Sequence, residues 1–418
     1  MDRARTNGDG NNVAGFTNGF ESAGAATRPR ATGGAEKRRM SKSKRMLFRS
    51  WRSAALGLAV IGLACVWGGS TCTPEHPVPP FPQQAWPTSL HATRRGKATF
   101  YNAENGGFGT LTGIAIEDLW CQDCHANTRA DGTPIDSSTY RPDCSDCHIT
   151  PGDAVAEIIC LKCHDRRRIE RNRFTDVHRD QGMTCMDCHT TREMCGDGTP
   201  YPSMMEPGAM DVTCEGCHAD RPDNTSHSVH ASRVHCSSCH AQAVVVCYNC
   251  HFQQDPGAGR PTTHVGPVMR EFTFLARHAT TGQVHTATMV PAVWEDSSFV
   301  LITPYASHTI TAKGRPCDAC HYNQTVRKYA ETGRITVTRW DADESQLIQP
   351  RGVIPVPPDW RQAMQFDFIE YLRNPDLPED DPGQWGFLKS GADLMQMMYA
   401  EPLTVEQMDR LEVQRYRD

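Results

Sequence analysis

The sequence predicts a mostly irregular fold with short α-helices, wrapped around something other than a peptide core, plus a small α+β C-terminal appendage. Three observations predict it. The pattern Cys-x-x-Cys-His occurs eight times between Cys121 and His321. Seven copies fall between Cys121 and His251, at fewer than twenty residues per copy, too short a repeat to bury a core of its own. After His321 the chain has neither Cys nor His.

In chain order, residues 1–72 read as a leader. Ala54 to Trp67 is an apolar run, preceded by Lys42, Lys44, Arg45, Arg49 and Arg52. That is the positive n-region and h-region of a signal peptide, short for a membrane span. The polar stretch before Met40 is unusual for such a signal; it reads as upstream of a true start at Met40 or Met46, or as a cytoplasmic extension. Cys65 follows Gly-Leu-Ala and Cys72 follows Gly-Ser-Thr, loose matches to a lipoprotein acceptor that leave a lipid anchor open. Residues 73–90 form a Pro-rich linker, stiff and extended from Pro74 to Pro87. The expected location is outside the cytoplasm: periplasmic, outer-membrane-associated or extracellular.

Residues 91–321 carry the repeat. The copies are Cys121-Gln-Asp-Cys124-His125, Cys144-Ser-Asp-Cys147-His148, Cys160-Leu-Lys-Cys163-His164, Cys185-Met-Asp-Cys188-His189, Cys214-Glu-Gly-Cys217-His218, Cys236-Ser-Ser-Cys239-His240, Cys247-Tyr-Asn-Cys250-His251 and Cys317-Asp-Ala-Cys320-His321. Zinc sites pair half-sites to reach four ligands and do not require a histidine after every second cysteine. A thioredoxin-type dithiol occurs once, at a helix start. The pattern fits covalent haem attachment: the two cysteines bond the vinyl groups and the histidine becomes the proximal iron ligand. Eight copies imply eight haem c groups. Sixteen of the 19 cysteines belong to them; Cys65, Cys72 and Cys195 do not. Cys195 reads as a buried free thiol. Gly, Pro, Asp and Asn between copies, as at Asp131-Gly132 and Pro207-Gly208, predict turns, so the porphyrins take the place of the core.

Of 18 histidines, eight are proximal. His76 lies in the linker. Nine remain as candidate distal ligands: His91, His178, His227, His230, His235, His264, His278, His285 and His308. Their number nearly matches the vacancies, which predicts bis-His, low-potential haems; methionine is the alternative sixth ligand. Residues 251–316 hold no complete attachment site and read as an arm folding back to supply distal ligands. Met269, Phe272, Phe274 and Leu275 suggest a helix leading to His278, and Phe299 to Ile302 a short buried strand. The six-residue gap between the sixth and seventh copies predicts that their haems are close neighbours. Arg166, Arg167, Arg168, Arg171 and Arg173 read as partners of propionates or as a solvated face, with an oxyanion clamp as the sharper alternative.

Residues 322–418 form the haem-free appendage. Ile335-Thr-Val-Thr alternates as a half-buried strand. Thr404-Val-Glu-Gln407 is a capping box opening a helix with Met408 and Leu411 inward. Trp340, Trp360 and Trp385 read as anchors to the haem domain. The whole chain carries −6. Residues 1–72 hold 12 Lys/Arg and 4 Asp/Glu, leaving 31 against 45 for the rest, a net −14. Such a surface repels nucleic acid and suits cationic redox partners or a metal or mineral acceptor.

With eight attachment motifs, a long histidine-bearing gap before the last and an exported N-terminus, residues 91–321 resemble the octahaem c-type cytochromes. The resemblance implies electron transfer between periplasmic or outer-membrane redox partners and a terminal or extracellular acceptor. It also admits an oxidoreductase acting on hydroxylamine, nitrite or tetrathionate at one open haem, and a homopolymeric filament in which a spare histidine such as His91 ligates the next subunit's haem. The tetrathionate reductase-like group carries a lysine-ligated haem, and no Cys-x-x-Cys-Lys occurs here. The hydroxylamine oxidoreductases carry a crosslinking tyrosine late in the chain; Tyr305 or Tyr322 could take that role, and no motif compels it. Both departures favour the electron carrier, which needs no catalytic residue.

Overall fold

Frequent turn residues and scarce apolar periodicity keep the motif region in short pieces. The computed structural model describes residues 82–118, 127–136, 139–248, 250–253 and 262–413, with 250–253 described by backbone alone. These residues belong to one compact unit, Ser70–Asp418. The leader, the first part of the linker and the first motif with Cys121, Cys124 and His125 lie outside the described residues.

Between 127 and 240 the longest helix is Asp165–Arg173, nine residues. The shorter helices include Glu157–Leu161, Val177–Asp180, Thr191–Cys195 and Thr225–His230. Among the described residues of this span only two hydrophobic side chains are buried, Leu161 and Ala209, against six polar ones: Glu170, Asp176, Glu193, Ser203, Ser237 and Ser238. Ile149, Ile158, Met186, Met204, Val212 and Val229 are exposed. A polypeptide that folds on burial of apolar surface cannot hold this shape by these contacts alone.

Residues 82–90 depart from the extended linker expected. Pro82–Ala85, Trp86–Thr88 and Leu90–Thr93 are helical, with Ala85 fully buried and Ser89 capping the last. They pack on Thr191–Cys195. Proline at a first helical position is preorganised for the turn, so Pro82 and Pro87 start helices rather than extend the chain.

From Val244 onward the chain is a sheet. The strands are β1 Val244–Cys247, β2 Cys250–Gln253, β3 Thr262–Val265, β4 Val268–His278, β5 Val284–Trp294, β6 Ser297–Pro304, β7 Ile335–Thr336, β8 Arg339–Asp341, β9 Gln346–Ile348, β10 Gly352–Pro355, β11 Met364–Gln365, β12 Asp367–Tyr371, β13 Trp385–Ser390, β14 Leu394–Met397 and β15 Ala400–Glu401. Nine of them form one mixed sheet, ordered β1-β4-β5-β2-β3, with β10 and β15 on β4, and β14 on β6, which pairs β5. β4 serves several partners along its length: β1 up to Phe272, β10 parallel from Phe272 to Leu275, β15 at Arg277 and His278. The β1 register slips between Val244 and Val246, and the neighbouring Glu271 of β4 has φ 76°, the geometry of a bulge.

The helix expected at Met269–Leu275 is therefore β4. Met269, Phe272, Phe274, Leu275 and Ala276 are all buried, so both faces of the strand are covered, and a run buried on both faces loses the alternation that marks a strand. The division at His321 also changes: β10, β14 and β15 from the expected appendage pair with β4 and β6 from the expected arm. Trp360 is buried in this sheet's core, and Trp340 and Trp385 pack against it. Thr404 caps Val405–Glu412 through a full capping box, and Met408 and Leu411 pack on Leu275, Val326 and Val353. Among the described residues no helix is long and apolar enough to cross a membrane.

Candidate haem-ligating centres

Each described Cys-x-x-Cys-His, the seventh excepted, folds as one helical turn. The amide of the histidine donates to the carbonyl of the first cysteine at 2.9 Å for His148, 3.0 Å for His164, 2.9 Å for His189, 2.9 Å for His218 and 2.8 Å for His321; Cys236–His240 is itself a helix. The turn presents both sulfurs and the imidazole from consecutive positions of one short segment. Local chemistry starts it. Asp143 and Thr184 cap the second and fourth motifs, and Asp146 and Asp187, in the position before the second cysteine, close the capping boxes. Thr213 caps the fifth. The seventh differs: Cys247 ends β1 and Cys250 begins β2, with Tyr248 fully buried between them.

Five of the nine candidate distal histidines face a proximal one. Ring centroids are 6.3 Å apart for His91 and His164, 6.1 Å for His308 and His189, and 6.0 Å for His178 and His218. They are 6.3 Å apart for His227 and His240, and 6.2 Å for His230 and His321. Two imidazoles on opposite sides of one iron, each nitrogen about 2 Å from it and each centroid roughly 1.1 Å further, are about 6 Å apart. The residues fit the group that the motifs imply. His227 and His230, three residues apart on one helix, face the proximal histidines of two different motifs. His91, the histidine assigned to a neighbouring subunit in the filament reading, faces His164 of its own chain.

The outer ring nitrogens agree. Nδ1 lies 3.1 Å from the carbonyl oxygen of Met194 in His91, 2.8 Å from that of Pro222 in His227 and 2.8 Å from that of Ser226 in His230. In the proximal set, His148 reaches Asp153 O at 2.9 Å, His240 reaches Thr311 O at 2.9 Å and His321 reaches Arg410 O at 2.8 Å. A carbonyl accepts only, so each Nδ1 donates and each Nε2 keeps the lone pair that a metal needs. Burial first, then neighbouring positive charge, holds His164 down at about 4 and His308 at about 3, which keeps the rings neutral.

Three of the other four candidates, His235, His278 and His285, are not brought to a motif histidine among the described residues. His235, His278 and His285 gather together, with centroids 4.0 Å apart for His235 and His285 and 5.9 Å for His278 and His285. His285 donates Nδ1 to Thr286 O as the ligand histidines do. In His235 and His278, Nδ1 instead accepts the amides of Ser237 and Thr280, which leaves the proton on Nε2. His264 stacks on Tyr371 at 3.8 Å, and the β2–β3 register sets His251 opposite it.

The attachment cysteines approach one another in sequence. Burial, then Asp146 and Cys163, pushes the Cys147 thiol up to about 11. Cys160 and Cys185 share a hydrogen bond. Burial, then Cys217, raises Cys188. Cys214 and Cys236 also share a bond, with Glu215 against both. Burial, then Cys239, pushes Cys320 up to about 12. Motifs two, three, four, five, six and eight thus form a continuous row. The sixth motif adjoins the eighth, through Cys239 and Cys320, while Cys247 of the seventh lies near Arg166 and Asp165. Arg315 ties the sixth motif to the eighth, donating to the carbonyls of Ser238 at 3.0 Å and of Ala241.

Sequence reasoning missed the carboxylates. Glu170, fully buried, accepts from Arg167 at 2.8 Å, Tyr305 Oη at 2.9 Å, Ser307 Oγ at 3.2 Å and the His308 amide at 3.3 Å, so it holds the loop that carries His308. Glu193 accepts from His189 Nδ1 at 2.7 Å. His189 lies just before the Thr190 cap of the helix Thr191–Cys195 that carries Glu193, and this four-residue spacing was the available signal. Of the arginines, Arg167 pairs with Glu170, Arg168 with Asp165 and Arg171 with Glu157. Tyr305 is committed to Glu170, and Tyr322 is exposed under Arg327. Cys195 lies near Cys144, and burial, then Cys144, raises its thiol.

Comparison with models of known families, with curated proteins and with solved structures gives no match.

Proposed function

We propose that this chain is an exported electron-transfer protein carrying eight haem c groups, with bis-His ligation wherever two imidazoles face each other. The five imidazole pairs carry this reading, since a separation near 6 Å repeated five times has no purpose in a peptide core. The haems supply a reversible one-electron change at iron. The chain's residues do the rest: cysteines fix the groups, Nδ1 acceptors orient the rings and hold Nε2 ready, and paired ligands deny a substrate the sixth position. The row of neighbouring cysteines supports passage along the protein, between a redox partner at one end and a metal, mineral or protein acceptor at the other.

The alternative, an oxidoreductase with one open haem, has its foothold at His148, which no histidine faces among the described residues. Electron paramagnetic resonance of the oxidised holoprotein tests both. The conduit reading expects low-spin iron throughout and no turnover of hydroxylamine, nitrite or tetrathionate. A stoichiometric high-spin ferric signal that binds cyanide, together with turnover, overturns it.

A further inference from the structure

The outer nitrogens of the ligand histidines are not treated alike. Those of His91, His227, His230, His240, His321 and His148 meet neutral main-chain carbonyls. The fourth motif is different at His189. His189 donates to the carboxylate of Glu193 at 2.7 Å, and the Glu193 side chain has no exposure to solvent. Its other oxygen accepts from the amides of Asp211 and Val212, so no cation neutralises it. Across the pair, His308 hydrogen-bonds the main chain at Ala306 as the other histidines do, with the solvent-excluded Glu170 carboxylate 3.9 Å from its Nδ1, beyond hydrogen-bond reach. Glu170 is partly neutralised by Arg167. Asp176 stands nearby, against His178 at 3.5 Å, which gives the fifth motif one carboxylate where the fourth has two.

A full negative charge on the acceptor makes the imidazole more basic and more anionic than a carbonyl does. That favours ferric over ferrous iron, and a buried charge acts with little screening. We propose that the haem between His189 and His308 is the lowest-potential centre of the row, and that Glu193 is the positioning residue that makes it so. The inference rests on the ligation reading above. The fourth motif lies inside the row, between Cys160 and Cys217. With haem held there, Glu193 and His189 would make this site harder to reduce than its neighbours, so they would set the barrier between the two halves of the row.

Glu193→Gln in the full-length holoprotein tests it, read by spectroelectrochemical titration. The expected result is a rise of the most negative component alone, by about a tenfold change in the reduced-to-oxidised ratio at fixed potential, or about 59 mV for one electron, with the haem count and low-spin signals kept. Glu193→Asp restores the original value in part. An unmoved lowest component with all haems low-spin overturns the proposal, as does a new high-spin iron in Glu193→Gln, which would mean that Glu193 only holds His189 in place. Cys185→Ala with Cys188→Ala separates the two readings. Loss of the most negative component assigns it to this motif; loss of a different component overturns the assignment; loss of no haem at all overturns the ligation reading beneath it.

Discussion

Replacing His227 and His230, singly and together, tests whether one helix serves two irons. Both lie on Thr225–His230, capped by Asn224, whose side chain accepts the His227 amide at 3.0 Å. Residues three apart share a helix face, yet their rings point to different partners, 6.3 Å to His240 and 6.2 Å to His321. On the proposed ligation, changing either to alanine would remove one axial nitrogen and leave the cap in place. Each single variant should convert one iron in eight to the high-spin ferric form, and the double variant two in eight, since the two pairs share no ligand. The assay is spin quantitation by electron paramagnetic resonance on the oxidised protein, against a haem count confirming that all eight groups remain attached through their cysteines. A double variant with only one high-spin iron would refute the assignment to two centres. A single variant with none would show that the ring was never a ligand.

Two further outcomes follow from the packing. Glu170→Gln should lower the urea midpoint by the equivalent of about 2–3 kcal/mol, at or just below the usual cost of breaking a buried pair because Arg167 keeps some solvent; Tyr305→Phe, which removes one neutral donor, should cost about 1 kcal/mol, and equal midpoints for Glu170→Gln and the parent would sink the argument. Thr404→Ala should cost about 1 kcal/mol and speed hydrogen exchange across Val405–Glu412, the helix whose Arg410 carbonyl accepts from His321; unchanged exchange there would show that the cap contributes nothing.

The chemistry of the motif region was legible in the sequence because it is local. Cys-x-x-Cys-His is a five-residue pattern, and the capping Asp or Thr before it and the Asp within it belong to the same turn, so the turn that gathers two sulfurs and an imidazole needed no long-range information. The scarcity of buried apolar side chains among the described residues of 127–240 was legible too, from the spacing of the copies. The count of distal histidines was visible, but not their partners. Pairs such as His91 with His164 or His308 with His189 join residues 73 and 119 positions apart, a closure that only packing decides. The same holds for the three that turned aside. His235 and His278 spend Nδ1 on local amides, which no spacing reveals before the backbone is placed. The sheet was the least visible part. β4 is buried on both faces and so has no period, and its partners β10 and β15 arrive from beyond the last motif. The sequence by itself determined the number of Cys-x-x-Cys-His motifs and, on the proposed reading, one ligand for each haem. Tertiary structure decided which histidine faces which, which cysteines adjoin, and where buried carboxylates stand behind an imidazole, because each of these depends on distances between segments that are remote along the chain.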